Sequence, residues 1–372
     1  MEEALLGGLS PQVFLRRHWQ KRPLLVRAAL PGFGGAIGKS ALFRLAARDD
    51  IESRLVERKR GRWLVTHGPL PLARLSRAGN RDWTLLVNGV NHHAAAAERL
   101  LRRFAFIPQA RLDDVMVSYA APGGGVGPHF DSYDVFLVQG PGRRLWRLAR
   151  ARPASRPFSL VADAPLKLIA DFRAEEEILL EPGDLLYLPP GWGHDGVALD
   201  ACFTCSVGFR APGGAELAAG FLDYLLERGL PEAGYRDPGL RATGRSGRIG
   251  TEMLDFAHRQ LKRIRWNRGD AAEFLGRFLS APKDNVVFKK NPKAGKLGGK
   301  LAVLDPKTQL LYLGGRFFIN GESVAARPAQ RAALARLADR RRAPGARLAR
   351  AGLERLILDW HRAGFLKLEP RP

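Results

Sequence analysis

The sequence predicts an α+β protein whose middle third folds as a small barrel or jelly roll, followed by helices and then a basic mixed region. Two observations carry this. Between residues 113 and 210, short apolar or alternating runs recur between Gly and Pro turns: DVMVSYA, HFDSYDVFLVQ, RRLWRLAR, EEILLEPG, DLLYLPP and FTCSVGFR. Short strands at this spacing close into barrels or jelly rolls. After Ala211-Pro212-Gly213-Gly214 the apolar period changes to 3.6 in GAELAAGFLDYLLERGL, TEMLDFAHRQLKRI and DAAEFLGRFLS, the pattern of amphipathic helices.

Taken in order, residues 1–110 open with SPQVFLRRHWQ, a helix in which Ser10 caps and Pro11 takes the first turn. KRPLLVR is a short strand broken by Pro23, and helices are expected around 39–47 and 93–104, with WTLLVNGV a buried strand between them. Gly140-Pro141-Gly142 predicts a tight hairpin joining HFDSYDVFLVQ to RRLWRLAR. Beyond residue 281 come the basic stretch KKNPKAGKLGGK, a hairpin-like LYLGGRFFING, two amphipathic helices (QRAALARLADRR and LERLILDWHRAG) and a final strand FLKLEP. The expected division is 1–211, 212–280 and 281–372.

Composition narrows the function classes. The chain has 372 residues, 45% hydrophobic and 26% charged, with a net charge of +23. No run of about 18 apolar residues suggests a membrane span, and MEEALLGGLS lacks the features of a signal peptide, so a cytoplasmic protein is expected. Residues 281–372 hold 20 Lys+Arg against 7 Asp+Glu, so more than half of the excess charge lies in the last quarter. Such an excess attracts polyanions, above all nucleic acid or a nucleoprotein, although a GC-rich genome alone would also favour Arg. The two cysteines, Cys202 and Cys205, form a C-x-x-C that reads as strand rather than as a redox or zinc motif. Positions three apart face opposite ways, and buried thiols behave as small hydrophobes.

One constellation carries chemistry. In GGGVGPHFDSYDVFLVQG, His129 and Asp131 stand two apart, so on a strand both project from one face. Sixty-three residues after Asp131, EPGDLLYLPPGWGHDG supplies His194 from a Pro/Gly-rich loop that can return to the same barrel mouth. Two imidazoles and one carboxylate form the facial triad of non-haem Fe(II) oxygenases, leaving the opposite face of the metal open. His92 and His93 are adjacent, point apart and read as structural. Tyr133 shares parity with His129 and Asp131 and can line the same face as a substrate contact, whereas Asp134 should point away. Asp195 follows His194 directly, and its side-chain direction decides whether it takes part. Gly123-Gly124-Gly125 lacks the Lys-Ser/Thr of a phosphate loop and reads as a hairpin that lets a substrate loop come close.

The runs PGGGVGPHFDSYDVFLVQGPGRRLWRL, GDLLYLPPGWGHDGVAL, SVGFRAP and FLRRHWQKRPLLVR together resemble the bacterial ribosomal oxygenases, JmjC-type cupin proteins that hydroxylate an arginine of a large-subunit ribosomal protein, the sixteenth in the usual count. The resemblance implies a double-stranded β-helix, a helical dimerisation region and a C-terminal winged-helix-like domain. It implies Fe(II) on His129, Asp131 and His194, with 2-oxoglutarate and O₂ as co-substrates. Arg144 would bind the distal carboxylate of 2-oxoglutarate, with Ser118 and Thr204 as further contacts. A planar guanidinium suits a carboxylate, and strand alternation allows only one of Arg143 and Arg144 inside.

The expected activity is therefore hydroxylation of an arginine β-carbon in a ribosomal protein by a homodimer, with the ribosome or its RNA meeting the basic surface. A histidine or N-methyl-lysine substrate would use the same chemistry. A non-catalytic cupin that regulates by binding nucleic acid is the alternative from another class.

Overall fold

Strand pairing builds the middle of the chain from two facing sheets. The computed structural model describes residues 2–152, 157–229, 233–292 and 295–370. Its first eleven strands are β1 (Leu24–Val26), β2 (Ser53–Lys59), β3 (Arg62–His67), β4 (Trp83–Val87), β5 (Leu112–Ala120), β6 (Val135–Gln139), β7 (Arg144–Ala149), β8 (Glu176–Leu180), β9 (Leu185–Leu188), β10 (Gly193–Ala198) and β11 (Cys202–Phe209). Eight form one sheet in the order β1-β9-β6-β11-β5-β4-β2-β3, and three form the facing sheet, β10-β7-β8. Every pairing among them is antiparallel.

Alternation decides which residues go where. On β6, Val135 and Leu137 pack inward with Trp146, Leu148, Ile178, Leu180, Leu186 and Leu188. Phe136 and Val138 face outward, where Phe14, Leu42, Leu100 and Phe104 of the N-terminal segments cover the sheet. Both faces of the sheet are buried along β4, β6 and β9, which is why those strands read as near-continuous apolar runs, whereas β3 at the sheet's edge is largely exposed. The helix Pro11–Arg17 starts as expected, with Ser10 Oγ accepting from Val13 N at 3.3 Å.

Two expectations fail. β6 and β7 do not form a hairpin: β6 lies between β9 and β11, β7 between β10 and β8, so Gly140-Pro141-Gly142 carries the chain from one sheet to the other. A two-sheet sandwich needs such crossings, and turn residues alone do not distinguish them from hairpins. The glycines 123–125 do not hold a gap open for a foreign loop either. A Cβ on Gly124 would lie 2.1 Å from the Trp83 carbonyl and one on Gly125 2.6 Å from that of Gly196, so this run packs against its own barrel.

Helices Gly214–Glu227, Thr251–Lys262 and Arg268–Ser280 follow, and the third packs on the first through Phe274, Tyr224 and Leu225. The C-terminal region sets two three-stranded sheets around the helices Pro328–Arg340 and Glu354–Ala363 over its own core, which includes Leu334, Leu337, Ile357 and Trp360. It is tied back to the barrel: Lys283 reaches Asp113 at 2.9 Å, Gln109 donates to Gln309 at 2.9 Å, and buried Arg341 lies 3.7 Å from Glu98. Among the described residues, no helix is long and apolar enough to cross a membrane.

Candidate active site

His129 is not in a regular strand. It forms an isolated antiparallel bridge with His194 at the start of β10, with backbone bonds of 3.0 and 2.7 Å in the two directions. That bridge joins the two sequence-distant parts of the triad. The imidazole centroids lie 4.2 Å apart, and Asp131 Oδ2 comes within 3.7 Å of His194 Nε2. One ligand atom from each of His129, Asp131 and His194 falls within 4.8 Å of the others.

The surroundings prepare both rings for a cation. His129 Nδ1 lies 2.9 Å from the Gly127 carbonyl and His194 Nδ1 2.9 Å from that of Trp192. Each carbonyl accepts the Nδ1 proton and so leaves Nε2 as a free lone pair, the arrangement that orients metal-bound histidines. Burial and the neighbouring His129 ring push the His194 pKa down to about 4, so this ring is neutral at physiological pH. Two imidazoles and a carboxyl group on one side of an open space suit a divalent transition ion, ferrous iron among them.

Behind the triad the small sheet leads inward. β10 and β7 pair His194 with Leu148, Gly196 with Trp146 and Ala198 with Arg144. Arg144 thus stands four residues along from the level of His194, roughly 13 Å at about 3.3 Å per residue. An arginine side chain and a five-carbon diacid fill such a gap. Arg144 is 5% exposed, and its Nε and one terminal nitrogen are buried without a hydrogen-bond partner. A buried guanidinium with open donors calls for an anion, and a carboxylate matches its fork. Arg143, in contrast, is exposed and bonded to Asp200 at 2.8 Å, as alternation requires.

Ser118 and Thr204 face each other across β5 and β11, and Leu86 and Gln139 extend the same row. Both are buried; Ser118 Oγ bonds the Thr204 carbonyl at 3.4 Å, and Thr204 Oγ1 bonds Gln139 Oε1 at 3.2 Å. Tyr133 is 40% exposed at the mouth, and burial of its hydroxyl together with the Asp131 charge raises its pKa. Asp134 points the other way, fully buried and accepting from Tyr187 at 2.6 Å. Asp195 turns from the His194 side toward Arg147, at 3.7 Å.

Sequence reasoning did not single out three further groups. The indole N–H of Trp146 and the Thr84 hydroxyl are buried without partners. Trp146 has the parity of Arg144, so alternation could have found it, and it lies against Gly196, where a Cβ would be 2.7 Å from the ring. Thr84 pairs with Ala120, a long-range contact that local sequence does not signal. Asp114, two places before Met116 on β5, is partly buried, with its pKa raised by desolvation; it accepts from Gly89 N at 2.8 Å and lies 3.7 Å from Lys283. The cysteines divide as alternation predicts: Cys202 lies inside with Ala120 and Ala198, Cys205 in the outer core.

Comparison with known proteins agrees with this geometry. Residues 99–217 match the JmjC domain family and residues 263–367 the ROXA-like winged helix. The chain is 35% identical over 331 residues to the ribosomal protein uL16 3-hydroxylase of Escherichia coli, covering 84% of each chain. It is 38% identical over 217 residues to a probable ribosomal oxygenase of Haemophilus influenzae, covering 57% of this chain and 52% of that one. The E. coli ribosomal oxygenase YcfD in complex with cobalt and 2-oxoglutarate superposes with a TM-score of 0.79 at 32% identity, over 97% of this chain and 98% of that one. With the triad, the buried arginine and this extent of likeness together, the chain belongs to the JmjC-type ribosomal oxygenases.

Proposed function

We propose that this protein is an Fe(II)- and 2-oxoglutarate-dependent hydroxylase that acts on the β-carbon of an arginine in a large-subunit ribosomal protein, uL16 being the first to test. The observation that carries the reading is Arg144, a buried cation with open donors set behind a metal-competent triad. In the E. coli relative, the reaction named is 3-hydroxylation of uL16, and a YcfD structure holds cobalt and 2-oxoglutarate.

In this reading His129, Asp131 and His194 hold the iron, and Arg144 receives the distal carboxylate of 2-oxoglutarate. Ser118, Thr204, Trp146 and Thr84 line the inner end of the same space. Bound there, ferrous iron would couple oxidative decarboxylation of 2-oxoglutarate to succinate and CO₂ with insertion of one oxygen atom of O₂ into the substrate C–H bond. The chain itself supplies placement and dryness: Leu137, Leu148 and Leu186 exclude water from the inner wall. Tyr133 stands at the mouth where a substrate side chain enters.

The division into 1–211, 212–280 and 281–372 goes with this reading, as do a cytoplasmic location and contact with ribosomal RNA. So does a homodimer: Leu222, Leu226, Leu254 and Leu261 are each 59–67% exposed along the helices Gly214–Glu227 and Thr251–Lys262, an apolar face that a second copy would cover. Sedimentation tests the last point, since Leu222→Asp with Leu226→Asp should give a monomer.

The activity test loads the protein anaerobically with Fe(II), then adds air, 2-oxoglutarate and ribosomal proteins, with intact-mass readout and His129→Ala as control. A single added oxygen on an arginine of uL16, absent from the control, supports the proposal. Turnover of 2-oxoglutarate with no change in any ribosomal protein removes the substrate and keeps the chemistry. Oxygen on a histidine, or loss of methyl from a lysine, would move the substrate class.

A further inference from the structure

The chain's positive charge is not of one kind. Arg outnumbers Lys 47 to 13 overall, yet residues 283–300 hold six lysines, no arginine and one acid. A coding bias toward Arg accounts for the rest of the charge but runs against this cluster. The described part of the segment lines a cavity of about 420 Å³ in the C-terminal region, bounded by Lys289, Lys290, Lys307 and Lys367 with Asp305 as the sole acid, a local charge of +3 from four cations and one anion.

The lysines stand on a fixed backbone. Asn291 N donates to the Arg362 carbonyl at 2.9 Å, and Phe288 packs edge-on against Phe365 with ring centroids 4.8 Å apart. Gly364, at φ +85°, lets the chain pass the Lys289 carbonyl, which a Cβ would approach to 2.3 Å. Lys307 is partly engaged, donating to the Val287 carbonyl at 2.7 Å. Lys289, Lys290 and Lys367 are exposed and bonded to no carboxylate among the described residues. The neighbouring helix Glu354–Ala363 offers no comparable charge: Glu354 and Asp359 offset Arg355 and Arg362, and the last two acid and base groups pair at 2.6 Å.

We propose that this lysine-lined groove, rather than the adjacent helix, binds the phosphodiester backbone of RNA. Ammonium groups are compact charges that meet phosphates without the fixed geometry a guanidinium demands, so they suit sequence-independent contact along a strand. An enzyme with a cationic substrate protein gains from this arrangement, because RNA bridges two surfaces that otherwise repel. The inference rests on the ribosomal reading only for the choice of RNA over DNA; the site itself does not depend on turnover.

The test measures anisotropy of a fluorescein-labelled 20-nucleotide single-stranded RNA with the full chain, free of metal and 2-oxoglutarate, across a salt series. Three to four phosphate contacts predict a slope of log K on log[salt] of about −2 to −3, at roughly −0.7 per contact. Lys289→Gln with Lys290→Gln and Lys367→Gln should flatten that slope by about 2 and weaken binding at least tenfold near 0.1 M salt. The triple Arg replacement should keep the binding. Hydroxylation of a free uL16 peptide should be the same in all three proteins, so that loss of RNA binding and loss of catalysis are separately readable. The proposal is overturned if the Gln variant binds as the wild type does. It is equally overturned if Arg245→Gln with Arg248→Gln, outside the groove, removes the binding instead, or if duplex DNA of the same sequence binds more tightly than the RNA.

Discussion

Arg144 gives the most direct test of the site, because the structure predicts effects of opposite sign on stability and on ligand response. Its guanidinium is buried with two nitrogens unpartnered, close to Trp146 at 5.8 Å from the ring. Replacing it by Gln removes an uncompensated buried cation, which relieves desolvation, and loses a cation–π contact of about 1 kcal/mol. The ligand-free protein should therefore melt within a degree or two of the wild type, or above it. With 2-oxoglutarate the result reverses. Two charge-assisted hydrogen bonds at about 1.5 kcal/mol each give about 3 kcal/mol, or roughly 150-fold in affinity. Saturation at 100 times Kd stabilises the wild type by about 2.7 kcal/mol. At about 2–4 °C per kcal/mol this raises Tm by roughly 5–10 °C. The variant at the same concentration sits near or below its own Kd, and its shift should be under about 1 °C. Scanning fluorimetry with Mn(II), with and without 2-oxoglutarate, reads both quantities. A ligand-free variant that melts several degrees lower would make Arg144 a structural group, and a retained shift would place the carboxylate elsewhere.

Three further outcomes follow from the same structure. Wild-type protein should bind one Co(II) per chain with visible d–d bands, and Asp131→Ala or His129→Ala should abolish them, because two of the three donors cannot hold the ion in the open geometry. Burial raises the Cys205 thiol to about 12, so a maleimide at pH 8 should leave it unmodified until the protein unfolds. His92 is lowered from 6.5 to about 4, by burial first and then by His93 and the lysines Lys307 and Lys283. The unfolded chain therefore binds the extra proton as pH falls below 6.5, and stability should drop between pH 6.5 and 4, by at most about 3 kcal/mol. Urea midpoints across that range should fall less steeply in His92→Gln; equal slopes would refute the assignment.

The contrast between what was legible and what was not follows the range of the contacts. Alternation is local, and it correctly separated Arg144 from Arg143, Cys202 from Cys205 and Asp134 from the metal side. The helix starting at Pro11 was readable from its cap, and the triad from residue type and loop chemistry. Sheet assignment is not local. Gly140-Pro141-Gly142 has the residues of a hairpin whether the chain turns back on its own sheet or crosses to the facing one, and only the partners of β6 and β7 decide. The hairpin of β2 and β3 went unread for a related reason. SRLVERKRGRWLVTH mixes charge into both strands because Arg58 pairs with exposed Asp82 and Lys59 with buried Glu57, so neither strand shows a clean apolar face.

The placement of the His129, Asp131 and His194 cluster depends on the same long-range logic. His129 and Asp131 share parity, but the segment is held by one bridge to His194 and by single backbone bonds from Ile169 N to the Pro128 carbonyl and from Gly191 N to that of Asp131, not by a ladder. A ladder would satisfy every backbone group and close the barrel mouth; a single bridge fixes the two imidazoles and leaves the next residues free to diverge. Asp131 then turns its carboxylate toward His194 Nε2, 3.7 Å away, while its own carbonyl accepts from Gly191 at 2.8 Å, which pins the loop carrying His194. Irregular backbone at this point is thus a requirement of the site. Lengthening the ladder, for instance by replacing Pro128 to free another donor, should tighten the mouth at the expense of Asp131 and reduce metal binding without lowering the melting temperature. Retained metal affinity in such a variant would show that the bridge is incidental to the geometry of the triad.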